Sequence, residues 1–144
     1  MKFWDSSAVL ALLAEEDSCS ELQPIMDEGQ GMVVWWGTCV ELVSGVCRRQ
    51  RESKLSEKET LLLFAKIEQL ASDTDQVEPT DQVRTAAIRV LRVHTLRAAD
   101  ALQLAAALVL SGHDPAGAVF VCLDKRLRDA AAREGFRVLP ESLP

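Results

Sequence analysis

The sequence predicts an α/β fold of three layers, in which helices cover both faces of a central, mostly parallel sheet. Segments of strand length alternate with helical segments along the whole chain. The strand segments are continuous apolar runs, which is typical of parallel strands that are buried on both faces. The 144 residues fit one domain, residues 1–144, and 48% of them are hydrophobic, which is enough for a core.

Five short segments have the composition of buried strands. The segment 32–36 joins a methionine, two valines and two tryptophans after Gly31, and 118–123 is a continuous run of apolar residues. A third segment is very short because Pro79 follows it directly. The predicted strands span residues 2–5, 32–36, 77–78, 118–123 and 136–139.

Small polar residues and glycines mark the helices between these strands. Ser56 with Glu59, and Thr38 with Glu41, match the capping box, in which a hydroxyl and an acid three residues later bind amides at a helix start. Gly135 is expected to end the last helix. Further capping candidates are Ser6 or Ser7, Asp17 or Ser18, Thr80 and Thr95. The predicted helices run over 8–13, 17 or 18 to about 29, 38 to about 51, 56 to about 71, 80 to about 93, 95 to 112 and 125–134.

The charge balance argues against a protein that holds nucleic acid by bulk electrostatics, because the net charge is −6. Basic residues nevertheless cluster in three stretches. These stretches form either solvated helix faces or a local rim that contacts phosphate. They comprise Arg48, Arg49, Arg51 and Lys54; Arg84, Arg89, Arg92 and Arg97; and Lys125, Arg126 and Arg128.

The cysteines and the apolar segments indicate a reduced, cytoplasmic protein with no membrane contact. The four cysteines show no CxxC spacing, and the N-terminus has no secretory signal pattern. The apolar stretch 96–110 is shorter than the roughly 20 residues that a membrane span needs. It is also interrupted by Arg97, Asp100 and Gln103.

Asp100 is the residue that calls most strongly for an explanation. It lies in a predicted helix that is apolar on almost every side, and such a helix is expected to be buried. A buried carboxylate is costly unless it is paired, hydrogen-bonded or bound to a metal. One explanation is an ion pair with Arg97 or Arg92. Another is a site that Asp100 shares with other acids.

Three other acids are predicted to lie at one edge of the sheet. Asp5 and Asp124 follow strands, and Glu41 lies in the first turn of the helix after a strand. Each has a simpler interpretation, since Asp5 and Asp124 can be helix caps and Glu41 can belong to a capping box. Four carboxylates in one cleft would repel one another, and Mg²⁺ or Mn²⁺ prefers such oxygen ligands. These cations activate water and stabilise the leaving oxygen of a phosphodiester.

Segments 3–10, 38–42, 96–105 and 120–127 together resemble the PIN domain, and more closely the VapC-type toxins of bacterial toxin–antitoxin pairs. The most specific element is Leu-Arg-x-x-Asp-Ala around Asp100. The resemblance covers nearly the whole chain. It implies a three-layer α/β/α fold and a ribonuclease that depends on Mg²⁺ or Mn²⁺. It also implies a homodimer that a small antitoxin inhibits.

The resemblance implies a role for several side chains. The metal ligands would be Asp5, Glu41, Asp100 and Asp124. Ser6 would orient the first acid, and Arg97 would contact phosphate or an acidic ligand. In one departure from the family pattern, Cys122 stands where a Thr or Ser is common, so a supporting hydroxyl is missing.

Other functions remain open at the level of the sequence. A phosphotransfer hydrolase could use Asp5 as nucleophile, although Ser7 stands where such enzymes usually carry a second acid. A receiver-like phospho-acceptor would pair two adjacent acids after the first strand and place its acceptor after a middle strand, but Trp36 and Gly37 end the second strand without an acid. A catalytically weak PIN-like binding domain is a further alternative. A purely structural protein would leave Asp100 unexplained. His94 and His113 are expected to be structural or exposed.

Overall fold

A single parallel sheet organises the chain, whose computed structural model describes residues 1–144. Five strands lie in the order β3-β2-β1-β4-β5, and each neighbouring pair is parallel. The strands are β1 (Lys2–Trp4), β2 (Val33–Trp35), β3 (Asp75–Val77), β4 (Val119–Val121) and β5 (Arg137–Leu139). The predicted strands are confirmed, with β3 beginning two residues earlier than expected.

Seven helices connect and cover the strands, as the sequence predicts. They are α1 (Ser6–Leu13), α2 (Cys19–Asp27), α3 (Thr38–Arg51), α4 (Glu57–Asp73), α5 (Asp81–Val93), α6 (Ala98–Leu110) and α7 (Lys125–Glu134). No helix combines the length and the apolar character that crossing a membrane requires.

Two hydrophobic cores, one on each face of the sheet, confirm the three-layer arrangement. Successive residues of a strand point to opposite faces. Phe3 and Phe120 therefore stack at 5.4 Å in the core beneath α5, α6 and α7. Trp4 and Val121 point the other way, into the core beneath α1, α2, α3 and α4. Burial on both faces explains why the strands are apolar throughout.

The helix ends follow local chemistry in some places and not in others. The capping box of Ser56 and Glu59 forms with both hydrogen bonds, Thr80 caps α5, and Gly135 ends α7 with a φ of 105°. The expected cap by Thr95 is wrong, because α6 begins after Arg97, whose side chain makes no capping bond. The expected cap by Thr38 is also wrong, because Gly37 precedes α3 and Thr38 lies within it.

The strand order places a crevice at the carboxyl ends of β1 and β4. The chain leaves β1 toward β2 on one side, and β4 pairs with β1 on the other. Ligands of open α/β sheets bind at such a point of reversal. The amide of Asp5 donates to the carbonyl of Val121 at 2.9 Å, which joins the ends of the two strands.

Candidate active site

The four acids singled out above, Asp5, Glu41, Asp100 and Asp124, are called the acid cluster. All of them lie at the N-terminal ends of helices. Asp5 and Asp124 are the N-caps of α1 and α7, while Glu41 and Asp100 lie in the first turns of α3 and α6. Because a helix N-terminus carries a partial positive charge, these positions favour negative side chains.

Asp5 is the innermost member of the acid cluster, and only 2% of it is exposed. Its Oδ2 accepts hydrogen bonds from the amide of Ser7 at 3.0 Å and from the Ser7 hydroxyl. Its Oδ1 is buried and has no partner. Burial raises the pKa of this carboxyl, against the opposing effect of the hydrogen bonds from Ser7 and Cys122. Capping uses one oxygen and leaves the other free for a ligand.

Ser7 joins the two strand ends that form the crevice. Its hydroxyl donates to Asp5 and accepts a hydrogen bond from the amide of Leu123 at 2.9 Å. The resemblance assigned the orientation of Asp5 to Ser6 instead. The Ser6 hydroxyl lies 3.2 Å from Oε1 of Glu41 and donates to it, so the two serines support different acids.

Cys122 stands where the family commonly has a Thr or Ser, and its thiol donates the hydrogen bond that a hydroxyl would donate there. Its thiol lies 3.5 Å from Oδ2 of Asp5 and donates to it. Burial, followed by the negative charge of Asp5, raises the pKa of the thiol well above its ordinary value, so the thiol stays protonated as a donor. A weaker donor thus takes the place of the hydroxyl.

Glu41 is half-buried and is held by side chains of two other helices. Its Oε1 accepts from Ser6 of α1, and its Oε2 accepts from Nε2 of Gln103 of α6 at 2.8 Å. Burial raises the pKa of Glu41 to about 7, with a further rise from the charges of Asp5 and Asp100 and an opposing effect from its hydrogen bonds. The capping-box interpretation of Glu41 is wrong, because the helix start has no side-chain cap.

Asp100 is half-buried and has no cationic partner. Burial raises its pKa to about 6, helped by the negative charges of Asp124 and Asp5 and opposed by Arg97. No ion pair forms with Arg97 or Arg92, so the simpler explanation of Asp100 is not realised. None of the ion pairs in the protein involves any member of the acid cluster.

Gln103 is a site residue that the sequence reasoning missed. It is fully buried on α6, one turn after Asp100, and its Nε2 donates to Glu41 and, at 3.1 Å, to Oγ1 of Thr38. A signal was present, because Gln103 is a polar interruption of an apolar helix at a spacing of three from Asp100. Residues three apart lie on the same helix face.

The acid cluster fits a hard divalent cation by the chemistry of its donors. Burial is the largest cause of the raised pKa values of Glu41 and Asp100, and negative charges add to both: those of Asp5 and Asp100 at Glu41, and those of Asp124 and Asp5 at Asp100. All the donors are carboxylate oxygens, and Oδ1 of Asp5 is buried without a hydrogen-bond partner. No group of three His, Cys, Asp or Glu side chains is already spaced to hold a metal ion.

The basic clusters divide between structural and free side chains. Arg128 donates to the carbonyls of Cys122 and Pro140, Arg49 pairs with Glu16, and Arg89 pairs with Glu134. Free basic side chains near the acid cluster are Arg97, Lys125 and Arg126, all of which are exposed. The predicted rim is thus reduced to a few side chains at the starts of α6 and α7.

The fold and the site define a three-layer α/β/α protein with an acidic cleft, free of cationic partners, at the carboxyl edge of a parallel sheet. The chain belongs to the PIN domain family, whose model matches residues 2–133.

Known proteins with this fold include relatives in sequence and in structure. Ribonuclease VapC45 and Ribonuclease VapC49, from two Mycobacterium tuberculosis strains, are each 31% identical over 141 residues, which cover 98% of this chain and 96% of each relative. The crystal structure of FitAcB from Neisseria gonorrhoeae matches with a TM-score of 0.66 at 17% identity over 96% of both chains. The crystal structure of VapBC2 from Rickettsia felis, bound to a promoter DNA fragment, matches with a TM-score of 0.63. The two chains are 12% identical, and the match covers 95% of this chain and 96% of that chain.

Proposed function

We propose that this protein is a metal-dependent endoribonuclease and the toxin of a toxin–antitoxin pair. The observation that carries the proposal is a cluster of four carboxylates at one sheet edge without a single cationic partner, with the buried Oδ1 of Asp5 left free. The two relatives named Ribonuclease VapC, which match nearly the whole chain, support the choice of RNA as substrate.

The acid cluster would hold Mg²⁺ or Mn²⁺, with Asp5, Glu41 and Asp100 as principal ligands and Asp124 completing the site. When bound, the cation supplies Lewis-acid chemistry that neutralises phosphodiester charge and makes water more acidic. Ser7 and Cys122 orient Asp5, and Ser6 orients Glu41. A bound cation would favour the ionised forms of Glu41 and Asp100, whose pKa values burial raises to about 7 and about 6.

Arg97 is proposed to contact the RNA phosphate. It is exposed at the N-terminus of α6, and its charge reaches Asp100. The guanidinium binds phosphate with a planar set of donors. Because the net charge of the chain is −6, such local contacts rather than bulk attraction would hold the substrate.

The proposed partners are an antitoxin and a second copy of this chain. An acidic cleft without cations is complementary to an inserted Arg or Lys side chain, which is the kind of group that an inhibitory antitoxin would bring. Exposed apolar side chains on α3 and α5, among them Val40, Ile88 and Leu91, offer surface for a homodimer. The four free cysteines are consistent with action in the reducing cytoplasm.

The test is cleavage of a labelled pool of structured RNA with Mn²⁺, with Mg²⁺ and with EDTA. Wild type is compared with Asp100→Asn and with Asp81→Asn, which alters an exposed acid that also lies in the first turn of its helix, α5. We expect metal-dependent cleavage by wild type and Asp81→Asn, and none by Asp100→Asn. Cleavage retained by Asp100→Asn would refute the ligand assignment.

Two further outcomes would identify other functions. A stable aspartyl phosphate at Asp5 would show a phosphotransfer hydrolase that uses this residue as nucleophile. RNA binding by folded wild type without cleavage would show a catalytically weak PIN-like binding domain.

A further inference from the structure

Gln103 is a buried amide that links the two helices carrying Glu41 and Asp100. It lies on α6 three residues after Asp100, and its Nε2 reaches Oε2 of Glu41 on α3 at 2.8 Å. We propose that Gln103 is a positioning residue that holds the Glu41 carboxylate in place at the cation site. This inference rests on the proposed function and adds a residue to it.

The chemistry of Glu41 decides how the amide of Gln103 is oriented. Nε2 of Gln103 donates to Oε2 of Glu41, which is the arrangement that a carboxylate ready to bind a cation requires, because an ionised carboxylate only accepts hydrogen bonds. The same Nε2 donates its other hydrogen to Thr38, and both bonds lie within ordinary hydrogen-bond distance. The amide oxygen then points away from both partners.

That orientation leaves Oε1 of Gln103 buried and without a hydrogen-bond partner. A buried polar atom without a partner destabilises the folded state. The neighbours on α6 are apolar and fully buried, among them Leu104 and Ala105, so an apolar side chain would suit this position better in the fold alone. The amide is therefore explained by Glu41 and not by the stability of the helix packing.

Gln103 is one of two side chains that donate hydrogen bonds to the Glu41 carboxylate from two sides. Ser6 of α1 donates to one carboxylate oxygen and Gln103 of α6 donates to the other. Without Gln103, Oε2 would lose its only protein donor, and Glu41 would be free to turn away from Asp100 on the neighbouring helix. Partners that orient metal ligands in this way typically contribute about 10- to 100-fold to metal affinity.

The experiment measures Mn²⁺ binding by calorimetry, without RNA, at a pH above the pKa of Glu41. Gln103→Met keeps the size of the side chain and removes its donors. Thr38→Val is the matched control, because it removes the other hydrogen-bond partner of the same amide and leaves the bond to Glu41. Thermal melting in EDTA reports the stability of each variant, and Gln103→Leu serves if the Met variant does not fold.

We expect Gln103→Met to bind Mn²⁺ at least about tenfold more weakly than wild type, which corresponds to about 1.4 kcal/mol. Its melting temperature in EDTA should equal or exceed that of wild type, since the unpartnered oxygen is removed. Thr38→Val should keep the Mn²⁺ affinity of wild type.

Equal Mn²⁺ affinity in wild type and Gln103→Met would overturn the inference and leave the proposed function standing. Equal losses in Gln103→Met and Thr38→Val would also overturn it, because they would indicate a general effect on the fold. Absence of Mn²⁺ binding by folded wild type would overturn both the inference and the metal dependence of the proposed function.

Discussion

Two glutamates that are both largely withdrawn from solvent have opposite surroundings. Glu134 at the end of α7 accepts a bidentate pair from Arg89, at 2.7 and 3.2 Å, and a contact of 2.6 Å from Nε2 of His94. These contacts hold the pKa of Glu134 below its ordinary value. Glu41 instead has only neutral donors, and burial, with a further rise from the charges of Asp5 and Asp100, raises its pKa to about 7.

The difference separates an acid whose charge is paired within the fold from one whose charge has no cationic partner. Glu134 joins the ends of α5 and α7, and its charge is matched where it lies. The charge of Glu41 is unmatched, and the neutral hydrogen bonds orient it without neutralising it. Substitution of each glutamate by glutamine, which keeps the shape and removes the charge, is the sharpest test of this distinction.

The largest expected effect is on RNA cleavage. Glu41→Gln should lose at least about a hundredfold in kcat/KM, because removing a ligand costs more than removing a residue that orients one. Glu134→Gln should cleave as well as wild type at temperatures below its melting transition. A Glu41→Gln protein with wild-type cleavage would place Glu41 outside the site.

The second effect is on stability, and here Glu134→Gln should have the larger effect of the two substitutions. Glu134→Gln should lose about 2 kcal/mol in the free energy of unfolding, because its charge-assisted bonds to Arg89 and His94 are weakened. Glu41→Gln should match or exceed wild type in EDTA at a pH above 7, since it removes a desolvated charge. Urea unfolding followed by circular dichroism measures both, and a clear loss in Glu41→Gln would contradict the comparison.

The third effect is a pH dependence of stability in the metal-free protein. The pKa values of Glu41 and Asp100 rise from 4.5 to about 7 and from 3.8 to about 6 on folding. The folded state therefore binds more protons than the unfolded state in this interval. The stability that these protons contribute is complete below the unfolded values and is lost as the pH rises through the folded ones.

We expect a loss of about 1 kcal/mol over that interval, a figure reduced for solvent screening because both acids are partly exposed. The double variant Glu41→Gln, Asp100→Asn should lack this component. The difference between the unfolding free energies of wild type and double variant, measured in EDTA across the interval, isolates the two acids from the other carboxyls. A difference that does not change with pH would show that neither pKa is raised.

The smallest effect concerns the capping box at the start of α4. Ser56 and Glu59 form a capping box, so Ser56→Ala should cost about 1 kcal/mol of stability. Ser72→Ala on the same helix is the control, because that exposed hydroxyl only bonds back to the carbonyl of Glu68. Equal effects of the two substitutions would show that the capping box contributes nothing of its own.

The sequence alone predicted the parallel sheet, the seven helices and the acid cluster. Asp5 and Asp124 follow apolar runs, and parallel strands bring their carboxyl ends to one edge. Asp100 was identified because a carboxylate in an apolar helix is costly. These inferences depend on local pattern and on general rules of sheet geometry, and both can be read along the chain.

The partners of these acids could not be predicted in the same way. Thr38 with Glu41 has the same pattern as Ser56 with Glu59, yet Glu41 binds Ser6 and Gln103 instead of the helix start. The Ser7 hydroxyl bonds Asp5 and the amide of Leu123, although the resemblance implies that Ser6 orients Asp5. Each of these contacts joins elements that are distant in the sequence.

The sequence by itself determined the layers of this PIN domain and the place of its acids, because the period of apolar residues and the order of strands and helices are local properties. Only the tertiary structure decided which neutral donor bonds to which acid. It also left the acid cluster without a cationic partner. It also decided that the Cys122 thiol stands in for a hydroxyl. Hydrogen bonds act over about 3 Å, so only the packed positions of α1, α3 and α6 select their partners.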